Sequence, residues 1–126
     1  MDLLADALNI MKVLRISGRS ECKVPASKII GAVLQILQKE DYIKEFEFVD
    51  DNKAGFYLVK GIGAINKCGV ITPRLAFKFR DLAKIEEQYL PSRDFGILII
   101  STPNGMVTNQ QLRDMKIGGR LMAYVC

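Results

Sequence analysis

The chain has 126 residues, which at roughly 150 residues per domain corresponds to one domain or two small lobes. With 49% apolar and 25% charged residues it has an ordinary globular composition, so disorder and a disulfide-dense scaffold are both disfavoured. The sequence contains no histidine, which excludes histidine general bases, histidine metal ligands and serine–histidine or cysteine–histidine pairs. We therefore expect a binding or structural protein that uses no cofactor.

The charge is unevenly distributed along the chain. The net charge is +4, and residues 1–63 hold nine basic and nine acidic residues whereas residues 64–126 hold nine and five. Between Glu40 and Asp51 the acidic residues cluster, with Lys44 as the one basic residue among them. Such a stretch repels a polyanion. A nucleic acid is therefore expected to dock on the second half.

Cysteine usage and hydropathy indicate a soluble cytoplasmic protein. The first six residues carry acid where a secretory signal carries base. The longest apolar runs, residues 29–34 and 95–100, are far shorter than the ~20 residues that cross a bilayer, so no membrane association is expected. Three widely spaced cysteines with no C-x-x-C pair favour reduced thiols over a disulfide framework or a zinc site: Cys22, Cys68 and Cys126.

The first half of the chain begins with two predicted helices separated by a short strand. A strand is expected over residues 22–25, and Ser27 is suited to cap the second helix. Gly18 is suited to end the first helix. Apolar residues at helical spacing define the first inner face, Leu4, Ala7, Leu8, Met11 and Leu14, and the second, Ile29, Ile30, Val33, Leu34 and Leu37.

A hairpin is predicted to follow the second helix. Residues 43–49 alternate phenylalanine with glutamate, residues 50–55 have turn composition, and residues 55–60 return as an apolar strand. The acidic side of this hairpin is expected to face water. A dinucleotide loop after it is disfavoured, because Gly61-Ile62-Gly63 lacks its third glycine and no helical pattern follows.

The second half is predicted to be mostly β with short helices. We expect a strand over residues 71–79, a helix over 82–89 stopped by Pro91, a strand over 95–100 buried on both faces, and a final strand over 120–125. Thr108 and Gln111 form a capping-box pattern that opens a short helix through Met115. The inner face of the helix over 82–89 is predicted to be Leu82, Ile85 and Tyr89.

The predicted fold class is therefore α+β, in two small lobes. The N-terminal lobe, residues 1–62, is an αβαββ layer, and the C-terminal lobe, residues 63–126, is mostly β with short helices and carries all of the positive excess.

Two hydroxyls, an amide and a glycine follow the buried strand within Ser101-Thr102-Pro103-Asn104-Gly105. One interpretation is an ordinary strand-to-helix connection whose hydroxyls satisfy local backbone groups. The other is a compact polar surface that binds ribose hydroxyls, phosphates or base edges. Gly118-Gly119 has the same two interpretations, namely conformational freedom at a turn or close approach of a ligand to the backbone.

Basic residues favour the second interpretation. Lys116 and Arg120 flank the glycines and Arg113 lies on the short helix, which together predict an RNA-binding patch. Arg74, with Lys78 and Arg80, either extends this patch or solvates a strand. Ser27 and Lys28, at a helix N-terminus, are a candidate secondary phosphate contact or a routine cap. Bulky residues at Thr102 or Gly119 are expected to weaken binding without unfolding the chain.

A second function class remains open on these residues alone. It is a small cytosolic α/β module that binds a phosphate-containing metabolite or a protein partner at the same turn. An enzyme fits least well, because Asp94, Arg113 and Lys116 form no recognisable acid–base or nucleophile pattern.

From end to end the chain resembles the family of small-subunit ribosomal protein eight, in its archaeal and eukaryotic branch. The stretches that carry the resemblance are Leu3 to Leu8, Ser27-Lys28, Asp41-Tyr42-Ile43, Glu45-Phe46-Glu47, Asn66 to Arg74, Leu90 to Gly96, and Gly118-Gly119.

This resemblance implies a non-catalytic, cytoplasmic, primary RNA-binding component of the ribosome. It implies attachment to a helix in the central domain of small-subunit rRNA during assembly, next to other small-subunit proteins. Some bacterial members also bind their own messenger RNA, which leaves that partner open here. In the family a Ser-Thr-Ser-x-Gly turn and the later glycine pair of the C-terminal lobe make the main contact, and the N-terminal lobe touches RNA more lightly.

This sequence departs from the family pattern at two positions. Pro103 stands where the bacterial pattern has its second serine, and Arg120 stands where bacterial members carry an acid. The resulting predicted RNA-binding residues are Ser101, Thr102, Pro103, Asn104, Gly105, Thr108, Lys116, Gly118, Gly119 and Arg120, with Ser27, Lys28 and Arg74 as secondary contacts.

Overall fold

The computed structural model of the protein describes residues 3–16, 18, 21–63, 65, 67–71, 74–91 and 95–126. Helices and antiparallel sheets form an α+β fold, as predicted. The chain divides into two compact units, Met1–Asn66 and Lys67–Cys126, and each is described by itself. Within the described residues, no helix combines the length and the apolar character that spanning a membrane requires.

The first unit has the predicted αβαββ order. Its three strands form one antiparallel sheet in the order β1-β3-β2. The elements are α1 (Leu3–Ile16), β1 (Glu21–Pro25), α2 (Lys28–Lys39), β2 (Glu45–Val49) and β3 (Phe56–Lys60).

The helices of this unit bury most of the predicted faces. On α1, Leu4, Ala7, Leu8 and Met11 are at most 3% exposed. On α2 the prediction that Ile29 faces inward is wrong, because Ile29 is 40% exposed and Ile36 is buried instead. At about 100° per residue these two isoleucines lie on nearly the same side of the helix, two turns apart. Ile29 is in the first turn, and Ile36 is near the other end of the helix.

The predicted β2–β3 hairpin is present, and Glu45 and Glu47 are exposed as expected. Burial does not follow the alternating pattern throughout, because Phe48 is also exposed, at 57%. Glu45 pairs with Lys60 and Val49 with Phe56. Its turn is held by aspartate side chains, since Asp51 Oδ1 accepts hydrogen bonds from two backbone nitrogens, those of Lys53 and Gly55, at 3.0 Å each.

The second unit is built on one antiparallel sheet with strand order β4-β8-β6-β7, and β5 also pairs with β8. The elements are β4 (Cys68–Val70), β5 (Ala76–Phe77), a 3₁₀ turn (Phe79–Asp81), α3 (Leu82–Tyr89), β6 (Ile97–Thr102), β7 (Gly105–Thr108), α4 (Asn109–Met115) and β8 (Gly119–Val125).

Strand β6 lies in the interior of the sheet and is apolar on both faces, as predicted. Residues 97–100 are at most 2% exposed. Leu98 and Ile100 share one face, which packs in a single apolar cluster with α3 and α4. The buried members of that cluster are Ile71, Leu82, Leu90, Leu98, Ile100, Val107, Leu112 and Leu121.

The structure differs from the predictions for this unit in the bounds of two strands and in one connection. Of the single strand predicted over residues 71–79, the described residues contain only the two-residue β5, and β4 ends before it at Val70; residues 72 and 73 lie outside the described part of the chain. Pro73 within that range has no N–H donor, which disfavours a continuous interior strand. The buried strand runs over 97–102, and Phe95 is 52% exposed. Residues 101–105 lead into β7, so they form a hairpin turn and not a strand-to-helix connection.

Candidate nucleic-acid interface

The residues predicted to bind RNA in the second half meet at one end of the β6–β8 pair. Ser101 on β6 pairs with Arg120 on β8 and also with Met106 on β7. The last pair of the β6–β7 hairpin joins Thr102 to Gly105. The turn of the β6–β7 hairpin and the start of β8 are therefore neighbours in space, although about fifteen residues of chain separate them.

The hairpin tip is closed by Thr102. Its hydroxyl donates to the Gly105 carbonyl oxygen at 2.8 Å and accepts from the Asn104 backbone nitrogen at 3.1 Å. Pro103 supplies the fixed φ of the first turn position, and Gly105 takes φ +111°, a combination typical of a type I turn followed by a glycine bulge. Thr102 is 9% exposed, so its hydroxyl stabilises the turn and is largely hidden from solvent.

Outside that bonded turn, the tip presents open polar groups. Pro103, Asn104 and Gly105 are exposed, and nothing lies within 4 Å of the position that a Cβ on Gly105 would occupy. Ser101 is partly exposed, and its hydroxyl has no hydrogen-bond partner in the described part of the chain. The surface formed by Ser101, Pro103, Asn104 and Gly105 is called the hairpin tip below.

The glycine pair serves close packing of strands. A Cβ on Gly119 would lie 2.5 Å from Ile100 Cγ2 and 2.9 Å from the Ser101 carbonyl oxygen. A Cβ on Gly118 would collide with the carbonyl oxygen of Phe77 on β5. This packing argues against the expectation that a bulky residue at Gly119 leaves the fold intact, because its side chain would meet the backbone of β6.

Positive charge surrounds the tip. Arg120 is exposed, and its Nη1 donates to the carbonyl oxygen of Arg74 at 2.9 Å, which brings the segment of Arg74 beside β8. Lys116 is exposed and caps α4 in a left-handed conformation at φ +55°. The sequence did not decide whether Lys78 extends the RNA-binding patch. In the structure, its Cα lies 3.3 Å from the position that a Cβ on Gly118 would occupy.

Neither Lys78, Lys116 nor Arg120 is in an ion pair within the residues that the structure describes. All three cations are therefore available to an anionic ligand.

Two predicted contributors have structural roles within the unit. Thr108 is 2% exposed, and it forms the predicted capping box with Gln111 through hydrogen bonds of 3.2 and 3.0 Å. It holds the start of α4 and lies below the surface. Arg113 donates to the carboxylate of Glu86, which is 3% exposed, so this guanidinium is neutralised within the unit.

The buried Glu86 was missed by sequence reasoning, although a signal for it existed. Leu82, Ile85 and Tyr89 were predicted to face inward, and a residue four after Leu82 lies on the same helix face. Its buried partner Asn109 gave no such signal, because it follows the capping threonine where a polar residue is ordinary.

The candidate secondary contact lies in the first unit. Ser27 caps α2 as predicted, accepting a hydrogen bond from the Ile30 backbone nitrogen at 3.1 Å, and Lys28 is exposed at the first helical position. The hydroxyl of Ser27 is thus engaged locally, and Lys28 is the group that faces outward.

Comparison with known families matches the chain to one of them along nearly its whole length. A family model described as "Ribosomal protein S8" covers residues 2–126. This confirms the family to which the sequence was assigned by resemblance, while its archaeal and eukaryotic branch stays a prediction. The chain belongs to the ribosomal protein S8 family, a structural rather than enzymatic family of small-subunit ribosomal proteins that bind rRNA and assemble with other ribosomal proteins.

Proposed function

We propose that this chain is a primary rRNA-binding protein that attaches to a helix in the central domain of small-subunit rRNA and organises it during assembly. The observation that carries the proposal is the convergence of the open hairpin tip with the packed start of β8, beside three cations that have no acidic partner among the described residues. We assign the chain to cytoplasmic ribosomes of the archaeal or eukaryotic type on the sequence stretches named above.

The chemistry of the tip suits folded RNA. RNA presents 2′-hydroxyls and base edges in a wide, shallow minor groove and in irregular loops. The hydroxyl of Ser101 and the amide of Asn104 can each donate to and accept from such groups. Since Gly105 leaves the surface flat, the main chain itself can approach the ribose.

The tip is ordered before RNA arrives. The two hydrogen bonds of Thr102 close the turn, and Pro103 restricts the backbone. A preorganised turn loses little conformational entropy on binding, which favours affinity from a small surface. The cations Lys78, Lys116 and Arg120 then supply phosphate contacts, which position the protein without reading sequence.

The first unit is proposed to make the lighter contact, through Lys28 at the start of α2. Its acidic stretch between Glu40 and Asp51 disfavours any larger RNA surface there.

The test is a binding titration with an isolated RNA hairpin that contains an irregular internal loop from the central domain, at two salt concentrations. Arg120→Gln and Lys116→Gln should each weaken binding several-fold and lower the salt slope by about one. Lys53→Gln, in the β2–β3 turn, is the charge-matched control and should match the unmodified chain. A hairpin from the chain's own messenger RNA belongs in the same titration, because a tip that reads shape binds either RNA.

Equal affinity for the hairpin and for a regular duplex of the same length would contradict the proposal. That result favours the alternative, a small module that binds a phosphate-containing metabolite or a protein partner. Equal loss from all three charge variants would also contradict it, since binding would then follow net charge alone.

A further inference from the structure

The outer edge of β2 is open. Strand β2 pairs with β3 on one side, and the described part of the chain places no strand on its other side. Outside that pairing, no backbone group of residues 45–49 forms a hydrogen bond to a described residue. Alternate N–H and C=O groups of an edge strand point away from the sheet, so this edge can accept another strand.

The opposite edge of the same sheet is protected. Strand β1 carries Lys23 and Pro25, both of which oppose addition of a further strand. Lys23 lies over the ring of Phe56 on the neighbouring strand, with its Nζ 5.0 Å from the ring centroid. Strand β2 contains neither lysine nor proline.

An ordered aromatic side chain stands exposed on β2. Phe48 is 57% exposed, yet its ring makes an edge contact with Tyr57 at 5.9 Å between centroids. Gly55 leaves the space that this ring occupies, because a Cβ there would lie 2.5 Å from it. A large apolar ring held in place at a surface offers contact area that a partner strand can cover.

The charge around this edge selects the kind of partner. Residues 40–53 contain six acidic residues and two lysines. Glu45 and Glu47 are exposed and alternate with Phe46 and Phe48 along β2. The one ion pair described there, between Glu47 and Lys60, is long at 3.8 Å, and both side chains are well exposed. The edge therefore repels RNA and attracts a cationic chain.

We propose that the β2 edge binds an extended, lysine- and arginine-rich segment of a neighbouring ribosomal protein by strand addition, with Phe48 as its apolar anchor. Main-chain hydrogen bonds supply affinity in this mode, and alternate side chains supply specificity. The inference rests on the proposed function, because incorporation into the ribosome is what brings such a partner next to this chain.

Site-specific crosslinking in assembled subunits tests the proposal. A photoreactive benzoylphenylalanine in place of Phe48 should crosslink to one lysine- and arginine-rich, extended protein segment, identified by mass spectrometry. The same group in place of Lys23, which is exposed on β1 at the opposite edge of the same sheet, is the control and should not reach that segment. A crosslink to rRNA, to a second copy of this chain, or to no protein would overturn the proposal.

A second measurement separates this surface from the RNA-binding function. The variant Phe48→Ser with Glu47→Lys should lower the occupancy of the crosslinked protein in reconstituted subunits several-fold while its affinity for the central-domain hairpin stays unchanged. A fall in hairpin affinity would overturn the proposal, because it would make the edge an RNA surface. Failure of the unmodified chain to bind the hairpin would instead count against the proposed function.

Discussion

The side-chain amide nitrogen of Asn109 lies 2.6 Å from a carboxylate oxygen of Glu86, and both residues are buried, at 0% and 3% exposure. The amide oxygen of Asn109 also accepts a hydrogen bond from the backbone nitrogen of Leu98 at 3.1 Å. Through these two bonds, α4 is fixed both to α3 and to the central strand β6. Because α4 begins directly after β7 and ends at Met115, with Lys116 as its cap, the network fixes a cation of the proposed interface relative to the hairpin that forms its tip.

Replacing Asn109 with alanine should destabilise the fold. The substitution leaves the Leu98 N–H unsatisfied in the interior and removes a donor from the buried Glu86 carboxylate, for a combined loss of about 2–4 kcal/mol. The free energy of unfolding, measured by urea denaturation, reports this loss. Gln110→Ala changes the neighbouring exposed residue of the same helical turn and should cost less than about 0.5 kcal/mol. Equal midpoints for the two variants would contradict a structural role for the network.

Much of the fold follows from local patterns in the sequence. The helical spacing from Leu4 to Met11, the cap at Ser27 and the capping box at Thr108 each predict an element that the structure contains. These signals are readable because they depend on neighbours within one turn of helix. The ends of β4 and β5 were harder to predict, since the length of a strand depends on the strands that pair with it.

Gly105 and Gly119 should respond differently to replacement by alanine. Gly119→Ala brings a methyl group against β6 and should cost about 3 kcal/mol of stability, because the clash is partly with backbone. Gly105→Ala meets open space and bears only the strain of a positive φ, about 1–2 kcal/mol. Urea denaturation of each variant gives both values.

A control and an RNA measurement sharpen this comparison. Gly63→Ala meets nothing within 4 Å and has no positive φ, so it should be close to neutral. At a temperature where it remains folded, Gly105→Ala should still weaken hairpin binding, because its methyl group stands on the tip surface. Unchanged RNA affinity of folded Gly105→Ala would contradict close approach of RNA to this residue.

The hydroxyl of Thr102 should be needed for the order of the hairpin tip. Thr102→Val keeps the shape of the side chain and removes two hydrogen bonds, which should cost about 1–2 kcal/mol and speed hydrogen exchange at the Asn104 amide. Thr102→Ser retains both bonds and should preserve the slow exchange. An Asn104 amide that exchanges equally fast in the unmodified chain and in Thr102→Val would show that the turn is held by other means.

The candidate site was only partly predictable for a physical reason. Sequence reasoning identified the hydroxyls of Ser101, Thr102 and Thr108 by residue type, but residue type does not tell which hydroxyls the fold itself uses. Two of the three are consumed by a turn and a helix cap, and Ser101 alone remains open. Lys78 could not be placed, because its closeness to Gly118 depends on the pairing of β5 with β8.

The thiol of Cys22 should make the stability of the chain depend on alkaline pH. Burial raises the pKa of this thiol from 9.0 to about 11, since desolvation disfavours the thiolate. The unfolded chain therefore ionises first, and the stabilisation that is fully present below pH 9 is lost as the pH rises towards 11. The measurement is the free energy of unfolding of the unmodified chain minus that of Cys22→Ala, a difference from which the titrations common to both chains cancel. This difference should fall by on the order of 2 kcal/mol between pH 9 and pH 11. A difference that stays constant from pH 8 to pH 11 would show that the thiolate is tolerated in the folded sheet.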